Sequence, residues 1–179
     1  IVLNPVDWYA AQGIRLHLGK VVSRIDRKAR AVEATDGTRA AYDRLLLATG
    51  SNPFVLPVPG ANLAGVLSYR DIGDTEAMIA AAGEYHDAVV IGGGLLGLEA
   101  ANGLAKRGMR VTVVHLMPWL MERQLDRTAA GLLQKTLQDK GLSFRLEAQT
   151  EMIVDDGAGR VRAVRLRSGE EISADLVVM

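Results

Sequence analysis

The chain has 179 residues, enough for one domain or for one domain with a piece of a second. Hydrophobic residues make up 49% and charged residues 23%, proportions that speak against disorder, collagen and coiled coils. With 21 Lys plus Arg against 21 Asp plus Glu and no basic block, the charge gives no means of capturing nucleic acid or an anionic membrane, and a small-molecule partner is expected instead.

The first element is a short helix that includes Trp8 and Tyr9 and ends at Gly13. Residues 14–50 are rich in strand signals, with turns at Arg27-Lys28 and Asp36-Gly37, and read as a meander. The meander leads into Leu45-Leu46-Leu47, too short for a helix and apolar on both faces, which predicts a strand buried in a parallel sheet. Ala48-Thr49-Gly50 follows. Pro53, Pro57, Pro59 and Gly60 then read as an extended crossing, which places a domain boundary at residue 60 and gives units of 1–60 and 61–179.

From Asp71 the signals alternate between helix and strand. A helix is expected over Asp74 to Ala82, a strand over Ala88 to Ile91, then a glycine-rich turn and a helix from Leu95 to Arg107 closed by Gly108. A strand from Arg110 to Val114 precedes a helix that runs from its N-cap Asp126 to Lys140, with Gly141 as the stop. A strand from Leu142, a three-strand meander and the apolar run Asp175 to Met179 complete the order. This βαβαβ sequence predicts an α/β fold, a parallel sheet with helices on its faces.

No apolar run approaches the ~18 residues of a transmembrane helix, and the N-terminus lacks the order of a signal peptide, so the chain reads as soluble and cytoplasmic. It starts at Ile1 without an initiator Met and stops inside the run Leu176 to Met179, so it is expected to be a piece of a longer protein. With no cysteine, it offers no disulfide, thiolate nucleophile or iron–sulfur ligand, and its chemistry must come from a borrowed cofactor.

Sliding the sequence against itself by 132 positions reveals a repeat. Arg30-Ala31-Val32 falls on Arg162-Ala163-Val164, Gly37 on Gly169, Asp43 on Asp175, and Leu45-Leu46-Leu47 on Val177-Val178-Met179. A duplicated unit of this kind predicts a second glycine-rich turn about 40 residues before Ile1.

Gly92-Gly93-Gly94-Leu95-Leu96-Gly97 has the spacing G-x-G-x-x-G between an apolar strand and a helix, the context of a dinucleotide-binding turn. Gly92 permits the tight turn, Gly94 lets the backbone approach a pyrophosphate, and Gly97 lets the helix pack on the strand. The helix's free amides and positive end hold the phosphate charge. Glu99, placed in the first turn of that helix, reads either as a favourable carboxylate at a positive helix end or as a group near the nicotinamide. The end of the second strand, where an acidic residue usually accepts from the adenosine ribose, is His115. A neutral imidazole can accept one hydrogen bond, a protonated one can pair with a 2′-phosphate, and a strand-end residue without a ligand role is the third reading. Glu122 and Arg123, in the loop beyond, can supply either preference. His17 and His86 are isolated and do not have metal-ligand spacing.

On Gly92 to Ala101 (Gly-Gly-Gly-Leu-Leu-Gly-Leu-Glu-Ala-Ala) and Tyr42 to Ser51 (Tyr-Asp-Arg-Leu-Leu-Leu-Ala-Thr-Gly-Ser), the chain resembles the FAD- and NAD(P)-dependent pyridine nucleotide-disulfide oxidoreductases over nearly its whole length. Leu116-Met117-Pro118-Trp119-Leu120-Met121 and Arg123-Gln124-Leu125-Asp126 make it look most like the flavoprotein region of assimilatory nitrite reductase large subunits. The resemblance implies a Rossmann-like NAD(P)-binding domain preceded by a meander fragment of an FAD-binding domain. It places Thr49 and Gly50, with the adjoining Ala48, beside FAD, and Gly92, Gly94, Gly97 and Glu99, with the intervening Leu95 and Leu96, beside NAD(P)H; His115 departs from the family's common acidic residue, and by position it and Arg123 are the candidates at the ribose end. No side chain is expected to act as acid, base or nucleophile. The implied activity is electron transfer from NAD(P)H through FAD toward nitrite reduction, in nitrate assimilation. The FAD fingerprint would lie in the parent protein's other domains, and the exposed meander would pair with another copy or lean on the second domain. Rubredoxin or ferredoxin reductases and NADH oxidases share the motifs, and a non-catalytic nucleotide sensor is the alternative of another class.

Overall fold

The structure, a computed structural model, describes residues 3–179; Ile1, on which the reading of the N-terminus rests, lies outside the described residues. Two compact units divide between Ser51 and Asn52. The segment expected to cross between domains as far as residue 60 thus belongs with the second unit. Val58 packs into a core of that unit, and the Pro59 carbonyl accepts a hydrogen bond from the Ile153 amide at 2.9 Å.

The first unit contains α1 (Val6–Ala11) and the antiparallel strands β1 (Val22–Asp26), β2 (Ala31–Ala34) and β3 (Arg39–Ala41) in the order β1-β2-β3. The Asp26 carboxylate accepts from the amides of Lys28 and Ala29, which shapes the first turn, and Gly37 makes the second with φ 84°. The strand expected at Leu45-Leu46-Leu47 does not form. These residues lie in an irregular segment, with Leu46 86% and Leu47 64% exposed. A strand needs a neighbouring backbone to take its hydrogen bonds, and among the described residues none runs alongside.

The second unit has a five-stranded parallel sheet. Its strands, in the spatial order β4-β11-β5-β6-β7, are β4 (Val66–Leu67), β11 (Leu176–Val178), β5 (Asp87–Ile91), β6 (Arg110–Val114) and β7 (Ser143–Arg145). The helices are α2 (Ile72–Glu84), α3 (Leu95–Ala105) and α4 (Arg127–Asp139). Side-chain capping fixes the starts of α2 and α4: Asp71 and Asp74 form a reciprocal capping box at α2, and at α4 the Asp126 carboxylate accepts from the Ala129 amide at 2.8 Å. The two-residue strand β4 is too short to leave a sequence pattern and exists through its pairing with β11.

The sheet's two faces are covered differently from the expectation of helices on both. Ala88, Val90, Val111, Val113, Leu176 and Val178 face a core that includes Met78 of α2, Leu98 and Leu104 of α3, and Leu137 of α4. Val89, Val114 and Val177 face Ile153, Val164 and Leu166, which belong to an antiparallel meander of β8 (Thr150–Asp155), β9 (Val161–Leu166) and β10 (Glu171–Ser173). The meander supplies the apolar layer that a second set of helices would have supplied. Residues 88–90 of β5 are therefore buried on both sides, which is why that strand reads as an uninterrupted apolar run.

Candidate functional site

In the chain order β5, β6, β7, β11, the strands after β5 step to one side of it and β11 then returns to the other, so the order reverses between β5 and β11. Ligands of open α/β sheets bind outside the carboxyl ends of the strands at such a reversal. The glycine-rich turn is there, joining β5 to α3. Gly92 has φ 126°, open to glycine and strained for other residues. A side chain on Gly97 would lie 2.1 Å from the Gly92 carbonyl oxygen, so this residue sets the close seat of α3 on β5. A side chain on Gly94 would meet nothing within 4 Å. The space over Gly94 is therefore open beside the N-terminus of α3, whose N-cap Gly94 has no capping side chain and whose first-turn amides lack helical acceptors.

Two cavities flank the turn. One, of about 580 Å³, runs along the ends of β5 and β11 and is lined by Gly92, Gly94, Leu95, Leu96, Gly97 and Arg123, with Tyr69, Arg70 and Met179 on its far wall. The other, of about 740 Å³, lies toward the end of β6 and is lined by Gly92, His115 and Leu116, with Gln149, Thr150 and Arg167 opposite. The Thr150 hydroxyl in that wall is buried and has no hydrogen-bond partner among the described residues. A concave apolar cleft beside uncapped helix amides, with an orphaned hydroxyl in its wall, fits a dinucleotide straddling Gly92.

The structure brings Gly92, Gly94, Leu95, Leu96, Gly97 and Arg123 together around one cavity and His115 beside the other, so Arg123 does not share the cavity of His115 as expected for the ribose end. Glu99 it places differently: with Gly94 as N-cap, Glu99 is the fifth helical residue rather than part of the first turn. It is exposed and borders a groove with Thr75 and Met78 of α2 and Arg107, two residues beyond α3. Ala48, Thr49 and Gly50 are exposed in the irregular segment of the first unit. That unit's helix is the six-residue α1 with no glycine-rich turn ahead of it, so its described residues do not by themselves fit a flavin dinucleotide.

Gly93, to which the sequence assigns no role, is the hub of the turn. Its amide donates to His115 Nδ1 at 3.0 Å and its carbonyl accepts from the Met121 amide at 2.9 Å. A Cβ on Gly93 would lie 2.7 Å from His115 Cγ and 2.8 Å from Leu120 Cδ2. Because an amide can only donate, Nδ1 is the acceptor nitrogen, and the ring proton sits on Nε2, 3.1 Å from Glu122 Oε2. Both nitrogens of His115 are thus engaged within the protein, and the residue is 8% exposed. Met121 turns the loop with φ 56°, a left-handed conformation that an unbranched side chain tolerates at a cost. No local signal marks this arrangement, since its members are far apart in sequence.

At the opposite end of the sheet, Arg110 at the start of β6 donates to both oxygens of Asp87 at the start of β5, at 2.6 and 2.5 Å. The guanidinium holds the Asp87 carboxyl below its ordinary pKa. Asp175 Oδ2 accepts from the amides of His86 and Asp87, which ties the entry of β11 to β5. Among the described residues no helix is long and apolar enough to cross a membrane, and no group of acidic, His or Cys side chains could hold a metal ion.

Residues 6–179 match the family model for pyridine nucleotide-disulphide oxidoreductases. The chain belongs to that family. It is 53% identical over its full length to a nitrite reductase (NAD(P)H) of Bacillus subtilis (strain 168), covering 22% of that protein. It is 45% identical, again over its full length, to the assimilatory nitrate reductase electron transfer subunit of the same organism, covering 23% of it. A ferredoxin reductase from Rhodopseudomonas palustris superposes with a TM-score of 0.93 at 30% identity, over 99% of this chain and 44% of that one. The chain thus spans less than half the length of each of these relatives. The disulphide of the family's description has no counterpart here, because the chain has no cysteine.

Proposed function

We infer that this chain is the NAD(P)H-binding part of a flavoprotein oxidoreductase that passes hydride from NAD(P)H to FAD and electrons onward, toward nitrite. The observation that carries the reading is the Gly92 turn, with an open backbone at Gly94, an uncapped helix end and a cavity on either side. The pyrophosphate would lie over Gly94 and the first turn of α3. The adenosine half would take the cavity at the end of β6, where Rossmann units read the ribose, and the nicotinamide half the cavity between the ends of β5 and β11. When bound, the nicotinamide supplies the hydride and the flavin accepts it; the chain's own residues bind, orient and exclude water. FAD would be held by domains of the parent protein, with Ala48, Thr49 and Gly50 at the edge of its site, and Glu99 would stand near the nicotinamide end only if α3 presents it there in the assembled parent.

Nitrite is the preferred destination because of the 53% identity to a nitrite reductase. Delivery to a ferredoxin-type acceptor is the second reading, favoured by 39% identity over the full chain to the rhodocoxin reductase of Rhodococcus erythropolis, of which the chain covers 42%. A cytoplasmic location follows from NAD(P)H as reductant. Titration of the chain with NADH and NADPH tests the binding step. Binding by the unaltered chain that is lost in Gly94→Val supports the reading; equal binding by the variant would sink it.

A further inference from the structure

The closed ring around Gly93 assigns a role to an acidic side chain that lies seven residues beyond the usual position. Where the second strand ends, this chain has His115, whose Nδ1 is filled by the Gly93 amide and whose Nε2–H points to Glu122. The imidazole therefore has no proton to offer a phosphate and no lone pair to offer a hydroxyl. Its outer partner, Glu122 Oε2 at 3.1 Å, carries a charge fixed in place, with a side chain only 22% exposed. Two backbone features hold it there: the left-handed turn at Met121 and the Met121 amide's bond to the Gly93 carbonyl. The nearest opposing charge, Arg123, has its Nε 3.9 Å from Glu122 Oε1 and is 87% exposed, so solvent screens it and its side chain is free to swing. Arg167, in the wall of the cavity beside His115, is likewise exposed.

We propose that Glu122, positioned by His115, is the group that makes this chain select NADH over NADPH. The inference rests on the dinucleotide reading above. A fixed, half-shielded carboxylate in contact with His115, which lines the cavity at the end of β6, accepts from ribose hydroxyls and repels a 2′-phosphate. His115 is a positioning residue: it orients the carboxylate and pins the glycine turn with the same ring.

The test is equilibrium titration of the full chain with NADH and NADPH, each at low and at moderate salt. The unaltered chain should bind NADH on the order of tenfold more tightly, with the ratio narrowing as salt rises. Glu122→Gln keeps the shape and still accepts from His115 Nε2–H, so it should fold; its ratio should fall on the order of tenfold through tighter NADPH binding. His115→Asn should weaken both dinucleotides and also lower the ratio, whereas a merely structural histidine would lower both affinities equally. If neither dinucleotide binds the unaltered chain, the dinucleotide reading falls and this inference with it. If both bind but NADPH binds as tightly as NADH, or Glu122→Gln leaves the ratio unchanged, this inference alone is overturned. Even where a variant fails to fold, an unaltered chain that lacks the NADH preference overturns the inference.

Discussion

Adjacent glycines of one turn should fail in opposite ways. At Gly93 a new methyl group would sit 2.7 Å from His115 Cγ, 2.8 Å from Cδ2 and 2.8 Å from Leu120 Cδ2, all parts of buried side chains. Overpacking of this kind costs about 1 to 3 kcal/mol, and displacing the ring also breaks the Gly93 amide's hydrogen bond, worth about 1 kcal/mol. Gly93→Ala should therefore destabilise the chain by roughly 2 to 4 kcal/mol, against a total of about 5 to 15 kcal/mol for a domain, and lower its Tm by roughly 5 to 15 °C. At Gly94, φ is −84° and a side chain would meet nothing within 4 Å. The gain of about 0.4 to 1 kcal/mol from a stiffer unfolded chain and the loss of a good N-cap residue nearly cancel, so Gly94→Val should hold stability to within about 1 kcal/mol. Its side chain would nonetheless occupy the space over the first-turn amides that a pyrophosphate needs. Urea melts and NADH titrations of both variants separate the effects. A stable Gly93→Ala, or a Gly94→Val that melts early yet binds NADH when folded, would refute the division of labour.

Asp71→Ala removes the acceptor for the Asp74 amide and half of the α2 capping box, and should cost about 1 kcal/mol in a urea melt. Asp87 has its folded-state pKa lowered by Arg110, so the pair's contribution is fully present above the ordinary carboxylate range and is lost as pH falls below about 4 through the folded value. Arg110→Ala should accordingly lower stability at neutral pH and flatten the acid limb of the pH–stability curve between about pH 5 and 2, so that the two curves converge at low pH; an unaltered acid limb would discount the pair. Purified as it stands, the chain should show no flavin absorbance at stoichiometric strength. The exposed Ala48-Thr49-Gly50 edge cannot offset the several kcal/mol of translational and rotational freedom that binding removes, about 4 or more by most accounts.

Where a feature depends on residues close in sequence, it was legible. Helices α2, α3 and α4 and strands β5 and β6 announce themselves by apolar periodicity and by caps such as Asp126, and the glycine spacing locates the turn. Features that depend on distant partners were not. The meander that replaces helices on one face of the sheet is apparent only once Ile153, Val164 and Leu166 meet Val89 and Val177. Glu99 shifted out of the first turn because the N-cap is Gly94, a boundary that periodicity cannot place to the residue. The tie between Gly93, His115 and Glu122 spans separations of 22 and 7 residues across a loop, and none of its members looks unusual alone.

The internal repeat shows the same division within one pattern. The β2–β3 hairpin pairs Ala31 with Ala41, Val32 with Ala40 and Glu33 with Arg39; the β9–β10 hairpin pairs Ala163 with Ser173, Val164 with Ile172 and Arg165 with Glu171. Each pair maps onto its counterpart at the offset of 132, and so do the turns, with φ 84° at Gly37 and 90° at Gly169. The closing bonds also correspond: the Ala34 amide donates to Thr38 as the Leu166 amide does to Glu170, and the Tyr42 amide donates to Arg30 as the Ala174 amide does to Arg162. Beyond the hairpins, the exit runs differ. Val177 and Val178 are fully buried between β4 and β5, while Leu45, Leu46 and Leu47 remain exposed coil. A hairpin satisfies its backbone within itself, so equal sequences give equal hairpins. An exit strand draws its hydrogen bonds from other segments, so the same apolar run becomes β11 only where two parallel strands flank it. Leu45-Leu46-Leu47 has the sequence of a central strand, and what decides its state is whether strands equivalent to β4 and β5 stand beside it.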